Sequence, residues 1–298
     1  MKKTNILFIL FIALLPLKLL SNTRKYAVTQ ALKTQAAMYK DKFANILLVI
    51  NFNHPYYKNI DFIKELYVPF FSNIVFYGES SHPQVTAVPT HMGYLLAYVV
   101  HDVLIKYPSY DGYLFLEDDC ILNVWNCLSL NLDKIWLPGF SNKVNEVCLE
   151  NSSFIANLKD GTNANTWWWR AEWGIGPTKK AFSPLSAHDL EMIEKNAGKN
   201  NAVGAMADMF YIPGRFSNDV VRLADVFKDV FVEIAIPCIL CCLDLKENWE
   251  RTSILWGVAD SIVQSHWPML FICVHPLKLS LQKNRNLIRK VFNTMIPQ

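Results

Sequence analysis

The 298-residue sequence is poor in charge: Asp, Glu, Lys and Arg make up only 18%, against 52% hydrophobic and 13% aromatic residues. That balance excludes a disordered chain, which buries too little apolar surface to offset its ordering entropy. It also excludes a charge-rich coiled coil and, with only 11 glycines, a collagen-like rod. Neither sign of charge dominates. The formal net charge is +3, and no Lys/Arg run forms a basic stripe. A nucleic-acid partner held by phosphate neutralisation is therefore not expected. Internal repeats and low-complexity linkers are also missing. The length fits roughly one or two domains and is ample for a large buried core.

The N-terminus is where the hydrophobic residues run longest. Met1-Lys2-Lys3 precedes an apolar stretch from Ile6 to Leu15 that continues past Pro16 and Lys18 to Leu20. A basic start before a short apolar run is the pattern of a secretory signal. Residues 4–20 reach only the lower limit of about 17 for a spanning helix. Two readings stay open for residues 1–21: a cleaved signal peptide, or a short signal anchor with the lysines cytoplasmic and the rest lumenal. The first implies a secreted protein; the second implies a Golgi or ER membrane protein with a lumenal domain. Residues 22–43 read as a polar stem.

Entry into that pathway bears on the seven cysteines. An oxidising compartment permits disulfides, but the odd count leaves at least one thiol unpaired within the monomer. Cys238-x-x-Cys241 has no second CxxC and lies in the apolar run Ile234 to Leu243, which favours buried thiols over zinc. Asn151-Ser152-Ser153 is the one glycosylation sequon.

From residue 44 the pattern is regular. Asn45 to Asn51 is a continuous apolar run, as in a strand buried on both faces. Tyr57 to Phe70 has helical spacing, Asn73 to Tyr77 reads as a second strand, Thr90 to Tyr107 as a second helix, and Tyr113 to Leu116 as a third strand. Such alternation is the signature of a parallel α/β sheet, and ligands of open α/β sheets bind beyond the carboxyl ends of the strands. The second half is less regular. Residues 138–166 look loop-like. Trp167-Trp168-Trp169-Arg170-Ala171-Glu172-Trp173 is a dense aromatic cluster, and Phe210 to Pro213 is a short strand. Ser217-Asn218-Asp219 suits a helix N-cap, Val232 to Leu243 is apolar around Glu233, Phe271 to Val274 is a last strand, and 282–291 is a basic helix. One catalytic domain over 44–298 is the simplest organisation.

Glu117-Asp118-Asp119 follows the apolar strand Tyr113 to Leu116. Adjacent carboxylates repel one another and resist burial unless a cation joins them. Oxygen ligands of this kind suit Mg²⁺ or Mn²⁺, which can neutralise charge developing on a leaving diphosphate. A solvated acidic turn is the bland alternative.

An apolar strand ending in acidic residues resembles the DxD motif of GT-A glycosyltransferases. More narrowly, His54-Pro55-Tyr56-Tyr57, Phe76-Tyr77-Gly78, Tyr113 through Asp119 and His275 through Ser280 are similar to a eukaryotic group of Golgi glycosyltransferase-like proteins that includes the plant STELLO proteins. The resemblance implies a Rossmann-like GT-A fold, with a mostly parallel central sheet flanked by helices. It implies a nucleotide-sugar donor, a glycan or glycoprotein acceptor, and a diphosphate held through Mn²⁺ or Mg²⁺. The triplet is Glu-Asp-Asp rather than a literal DxD, so Glu117 with Asp119, or Asp118 with Asp119, would supply the motif. On this resemblance His275 completes the metal shell with Glu117 and Asp119, while Asp118 and Lys278 contact the donor. Tyr56 or Tyr57, beside His54, would stack on the base. The tryptophans, Trp168 among them, would stack on sugar or base or form core. Inverting transfer needs a general base; Glu233, alone in an apolar segment, is the first candidate and Asp208 the second. A non-catalytic scaffold on the same fold, or a carbohydrate-binding module, are the competing functions.

Overall fold

A computed structural model describes residues 38–143, 146–149, 154–257 and 269–295. The N-terminal apolar run and the Asn151 sequon lie outside the described residues. Among the described residues no helix is long and apolar enough to cross a membrane.

Strands β1 (Ile46–Phe52), β2 (Asn73–Gly78), β3 (Thr86–Ala87) and β4 (Gly112–Glu117) alternate with helices α1 (Ile60–Tyr67) and α2 (Ala97–Lys106). Then come β5 (Ile121–Leu122), α3 (Val124–Cys127), β6 (Gly139–Ser141) and β7 (Phe154–Asn157), followed by α4 (Trp167–Arg170), α5 (Ile175–Phe182) and α6 (Ala187–Ala197). The chain continues through β8 (Asn201–Gly204), β9 (Met209–Pro213), α7 (Ser217–Phe227), α8 (Val232–Leu243), β10 (Ser253–Trp256), β11 (Cys273–His275) and α9 (Gln282–Met295). The main sheet has the order β3-β2-β1-β4-β9. Its pairs are parallel except β4 with β9, which is antiparallel. This is a mixed α/β, Rossmann-like sheet flanked by helices, as the alternating pattern implies.

Burial on both faces explains why β1 reads as an unbroken apolar run. Every residue of Ile46–Phe52 is buried, and the pleat sends alternate side chains to opposite faces. Leu47 and Val49 join a core with α2, α7 and α8, while Ile46, Leu48, Ile50 and Phe52 join a second core with α1 and α9. β4 does the same, with Tyr113 and Phe115 on one side and Leu114 and Leu116 on the other. A second sheet, β5-β11-β10-β6, is built from late and early segments. The bond Cys120–Cys273 ties its β11 to the loop after β4.

Several boundaries differ from the sequence reading. The folded part reaches into the expected stem, because Tyr39 and Phe43 are buried against Phe70 and Phe71. The expected helix from Thr90 begins only at Ala97, after His91, Met92 and Gly93 take positive φ. Ser217 opens α7 rather than capping it; its hydroxyl donates to the Gly214 carbonyl. The loop-like span 138–166 holds β6 and β7, which are too short for a period-2 signal. Cys238 and Cys241 are buried in α8 and form no disulfide, and desolvation pushes both thiols up, Cys241 to about 12.

The two-sided burial is testable. Leu48→Ala should cost about 2–5 kcal/mol in chemical denaturation, whereas Ile105→Ala on the exposed side of α2 should stay within about 0.5 kcal/mol. Equal losses would contradict the assignment.

Candidate functional site

The site is built where the carboxyl ends of β1 and β4 meet the start of β9, the end of β11 and the first turn of α8. Antiparallel β9 enters the sheet at the edge where β4 leaves it, so Asp208, just before β9, lies beside Glu117; its carbonyl accepts from the Glu117 N–H at 3.0 Å. The Asp118 N–H donates to the Asn51 carbonyl at 2.9 Å, which fixes the triplet against the end of β1. β11 delivers His275, and the Leu277 N–H donates to the Asp119 carbonyl at 2.7 Å.

Successive side chains of the triplet point to different partners. The Glu117 carboxylate receives Asn51 Nδ2 at 3.3 and 3.1 Å. Asp118 Oδ1 accepts from the Asn53 N–H at 3.4 Å. Asp119 pairs with the Lys278 ammonium and with His275 Nε2, the latter at 3.0 Å. The other imidazole nitrogen, Nδ1, lies 3.5 Å from Asp208 Oδ1. His275 thus stands between two carboxylates and links the two sheets electrostatically.

Glu233 arrives by a main-chain device. Pro237 lies inside α8 and has no N–H to give the Glu233 carbonyl one turn back. That carbonyl accepts from the Ala205 N–H instead, at 2.8 Å, and docks the first turn of α8 on the end of β8. A Cβ on Gly204 would come 3.2 Å from the same carbonyl oxygen. Gly93 makes the closest approach on the other wall. Its φ is +86, and a Cβ there would lie 1.9 Å from Asn53 Oδ1.

Electrostatics follow from this crowding. Burial and Asp208 hold the Glu117 carboxyl well above its usual range. Burial and Asp119 push Asp118 up to about 7. Burial also raises Asp208, and burial with Asp208 raises Glu233 to about 8. Asp119 is the exception: burial alone would raise it, but His275 and Lys278 outweigh that and hold it at about 2. Burial alone would lower His275, yet Asp208 and Asp119 keep it above its ordinary value. Asn51 Oδ1, Asp208 Oδ2 and Glu233 Oε2 are buried without a hydrogen-bond partner.

Hard oxygen donors with orphaned atoms, in excess over two cationic side chains, suit a divalent ion. Of the expected shell, Asp119 and His275 meet at 3.0 Å, while Glu117 is held by Asn51. Among the described residues no three His, Cys, Asp or Glu side chains converge on one ion position. The reason is the local chain direction: Glu117 turns to Asn51, and Asp119 turns to His275 and Lys278.

The remaining candidates divide. His54 and Tyr56 are open at the end of β1, Tyr56 being 44% exposed. Tyr57 is buried, and its hydroxyl donates to the Ser80 carbonyl and accepts from the Ser80 N–H. It braces the loop after β2 and offers no free face. Trp168, 5% exposed, is core and meets Phe154 edge-on. Trp167, at 62%, is the exposed member of the cluster. Sequence reasoning missed Asn51, Asn53 and Gly93. The Asn-x-Asn at the end of β1 was visible, but its partners come from residues distant in the chain.

No family profile matches the chain. It is similar to two Arabidopsis thaliana proteins, "Probable glycosyltransferase STELLO1" and "Probable glycosyltransferase STELLO2". Identity to the first is 24% over 260 residues, 83% of this chain and 31% of that protein. Identity to the second is 23% over 217 residues, 71% of this chain and 26% of that protein. The chain therefore spans less than a third of the length of either relative. The likeness to this glycosyltransferase group holds across most of the chain.

Glu233 generates a pH signature. Its carboxyl is raised from 4.5 to about 8, so over that window the native state holds a proton that the unfolded state has released. Its contribution to stability is full at acid pH and is lost as pH rises through about 8. With a chelator present, the melting temperature of Glu233→Gln should gain on the wild type between about pH 5 and pH 8 and not below. A pH-independent difference would show that Glu233 is not held protonated.

Proposed function

We propose that the chain is a metal-dependent glycosyltransferase, taking a sugar from a nucleotide-sugar donor to a glycan or glycoprotein acceptor. The observation that carries this reading is the gathering of Glu117, Asp118, Asp119, Asp208 and Glu233 at the carboxyl edge of a Rossmann-like sheet, with Lys278 and His275 as the basic side chains paired to them among the described residues. The likeness to two proteins named as probable glycosyltransferases supports it.

In this reading Asp118 and Asp119 would hold Mn²⁺ or Mg²⁺, ions that a protein commonly binds through one or two carboxylates. When bound, the ion supplies positive charge against the departing diphosphate. Lys278, half exposed beside Asp119, binds phosphate. His275, between Asp119 and Asp208, holds both carboxyl groups in place. His54 and Tyr56 receive the base. Glu233 takes the proton of the acceptor hydroxyl if transfer inverts the anomeric centre; a group titrating near the working pH is suited to that. Asp208 keeps the Glu233 carboxyl raised. A second reading, a non-catalytic protein on the same fold, is favoured by the lack of an assembled ligand trio among the described residues.

Two substitutions separate these readings. Uridine or guanosine diphosphate should raise the melting temperature of the wild type only when Mn²⁺ or Mg²⁺ is added, and Asp119→Asn should lose that response. Glu233→Gln should keep it, yet lower nucleotide release from a panel of nucleotide-sugars by about 10²- to 10⁴-fold. A wild type that ignores metal and nucleotide alike supports the non-catalytic reading.

A lumenal position in the ER or Golgi, behind Lys2-Lys3 and the apolar run to Leu20, belongs to the same proposal. The Cys120–Cys273 bond supports it, since disulfides persist in oxidising compartments. Protease added to intact microsomes should leave the domain whole and digest it once detergent is present. Digestion without detergent would rule the lumenal position out.

A further inference from the structure

On the Glu117 side of the acidic triplet lies a small cavity. Glu117, Asp208 and Glu233 give it three carboxylates, Met92, Gly93 and Tyr94 wall it, and no Lys, Arg or His lines it. Its volume is about 80 Å³, a few waters' worth where one water needs roughly 10–15 Å³. The opening can take a hydroxyl or hydroxymethyl arm and is too small to enclose a sugar ring.

An aromatic platform stands at its mouth. Tyr94 stacks on Phe231 at 5.2 Å and meets Trp173 at 5.6 Å and Trp167 at 6.1 Å. Trp167 also packs edge-on against Phe231 at 5.0 Å. The platform is tied by main chain to the helix that carries Glu233. The Phe231 N–H donates to the Trp173 carbonyl at 2.9 Å, and the Val232 N–H to the Tyr94 carbonyl at 2.8 Å. Trp167 and Met92 stay open to solvent, 62% and 47% exposed. Large apolar side chains left exposed beside a polar cavity mark a binding surface.

We infer that Trp167, Trp173, Tyr94 and Met92 form the acceptor subsite, and that its ligand is an uncharged pyranose whose hydroxyl arm enters the Glu117–Asp208–Glu233 cavity. This rests on the transferase reading and adds the substrate class. The argument is one of complementarity. The cavity offers three carboxyl groups and no Lys, Arg or His in its lining to pair with phosphate, carboxylate or sulfate, which sends the anionic donor to the side of Lys278. The same carboxylates accept hydrogen bonds from hydroxyls, and two of their buried oxygens, Asp208 Oδ2 and Glu233 Oε2, have no partner. Aromatic faces outside the cavity stack on the C–H face of a ring, as exposed tryptophan and tyrosine are suited to do. A neutral polyol with one apolar face satisfies all three features at once. The base would then be within reach of the hydroxyl it deprotonates.

The test is saturation-transfer NMR on the full chain. The probes are methyl β-D-glucopyranoside, methyl β-D-galactopyranoside and methyl α-D-mannopyranoside, with the methyl β-D-glucuronide anion as the charged control. At least one neutral glycoside should receive saturation, and the glucuronide should not. Trp167→Ala should weaken binding of the neutral glycoside by about tenfold, the loss expected for a stacking aromatic, and Trp167→Phe should keep part of it. The side chain is exposed, so the melting temperature should not move. The response to uridine diphosphate with Mn²⁺ should also be unchanged in Trp167→Ala. The inference is overturned if no neutral glycoside binds the wild type, if Trp167→Ala binds it unchanged, if the glucuronide binds equally well, or if Trp167→Ala loses the nucleotide response instead. If the glycoside binds through Trp167 but no nucleotide binds with or without metal, the subsite stands and the transferase reading fails.

Discussion

Like charge held at close quarters is the constraint on which this structure turns. Glu117, Asp118, Asp119, Asp208 and Glu233 share one edge of the main sheet, largely out of water, where each carboxylate makes the next harder to ionise. The protein distributes that stress unevenly. Asp119 receives both nearby cations and stays ionised at about pKa 2. Glu117 and Glu233 receive neither and are pushed up. One edge therefore carries an anchored anion and, a few residues away, carboxyls poised to hold protons.

Several devices hold the arrangement, most of them through the backbone. Antiparallel β9 brings Asp208 back to the edge where β4 ends. The Cys120–Cys273 bond and the Leu277-to-Asp119 hydrogen bond clamp β11 to the loop after the triplet, which places His275 between Asp119 and Asp208. Pro237 frees the Glu233 carbonyl for Ala205. Buried polar groups are costly unless their neighbours are fixed, so a rigid surround is what allows so many carboxylates to persist here.

The aromatic cluster shows how one short segment serves two purposes. Trp168 and Trp169 are buried and fill the core beside the paired strands β7 and β8 and α8, where Trp169 lies close to Gly204. Trp167 and Trp173 face outward around Tyr94 and Phe231. A single turn of helix, α4, sends neighbouring residues in different directions. Neighbouring tryptophans therefore reach different environments, Trp167 open and Trp168 and Trp169 in the core.

The sequence by itself determined the parallel β-α-β-α-β beginning, because strands buried on both faces must be continuously apolar and helices between them must be amphipathic. It also placed Glu117-Asp118-Asp119 at a strand end and marked Glu233 as a carboxylate alone among apolar residues. What only the tertiary structure decided is which groups meet. His275 was legible as a histidine after an apolar strand, but its position between two carboxylates depends on β11 joining a separate sheet. Tyr57 and Trp168 looked the same as Tyr56 and Trp167 in one dimension, and packing alone made the first pair structural and left the second pair open. Asn51, Asn53 and Gly93 could not be assigned from local pattern, since most of their contacts are with residues distant in the chain. Hydrophobic periodicity is a property of neighbours in the chain, whereas a site is a property of neighbours in space.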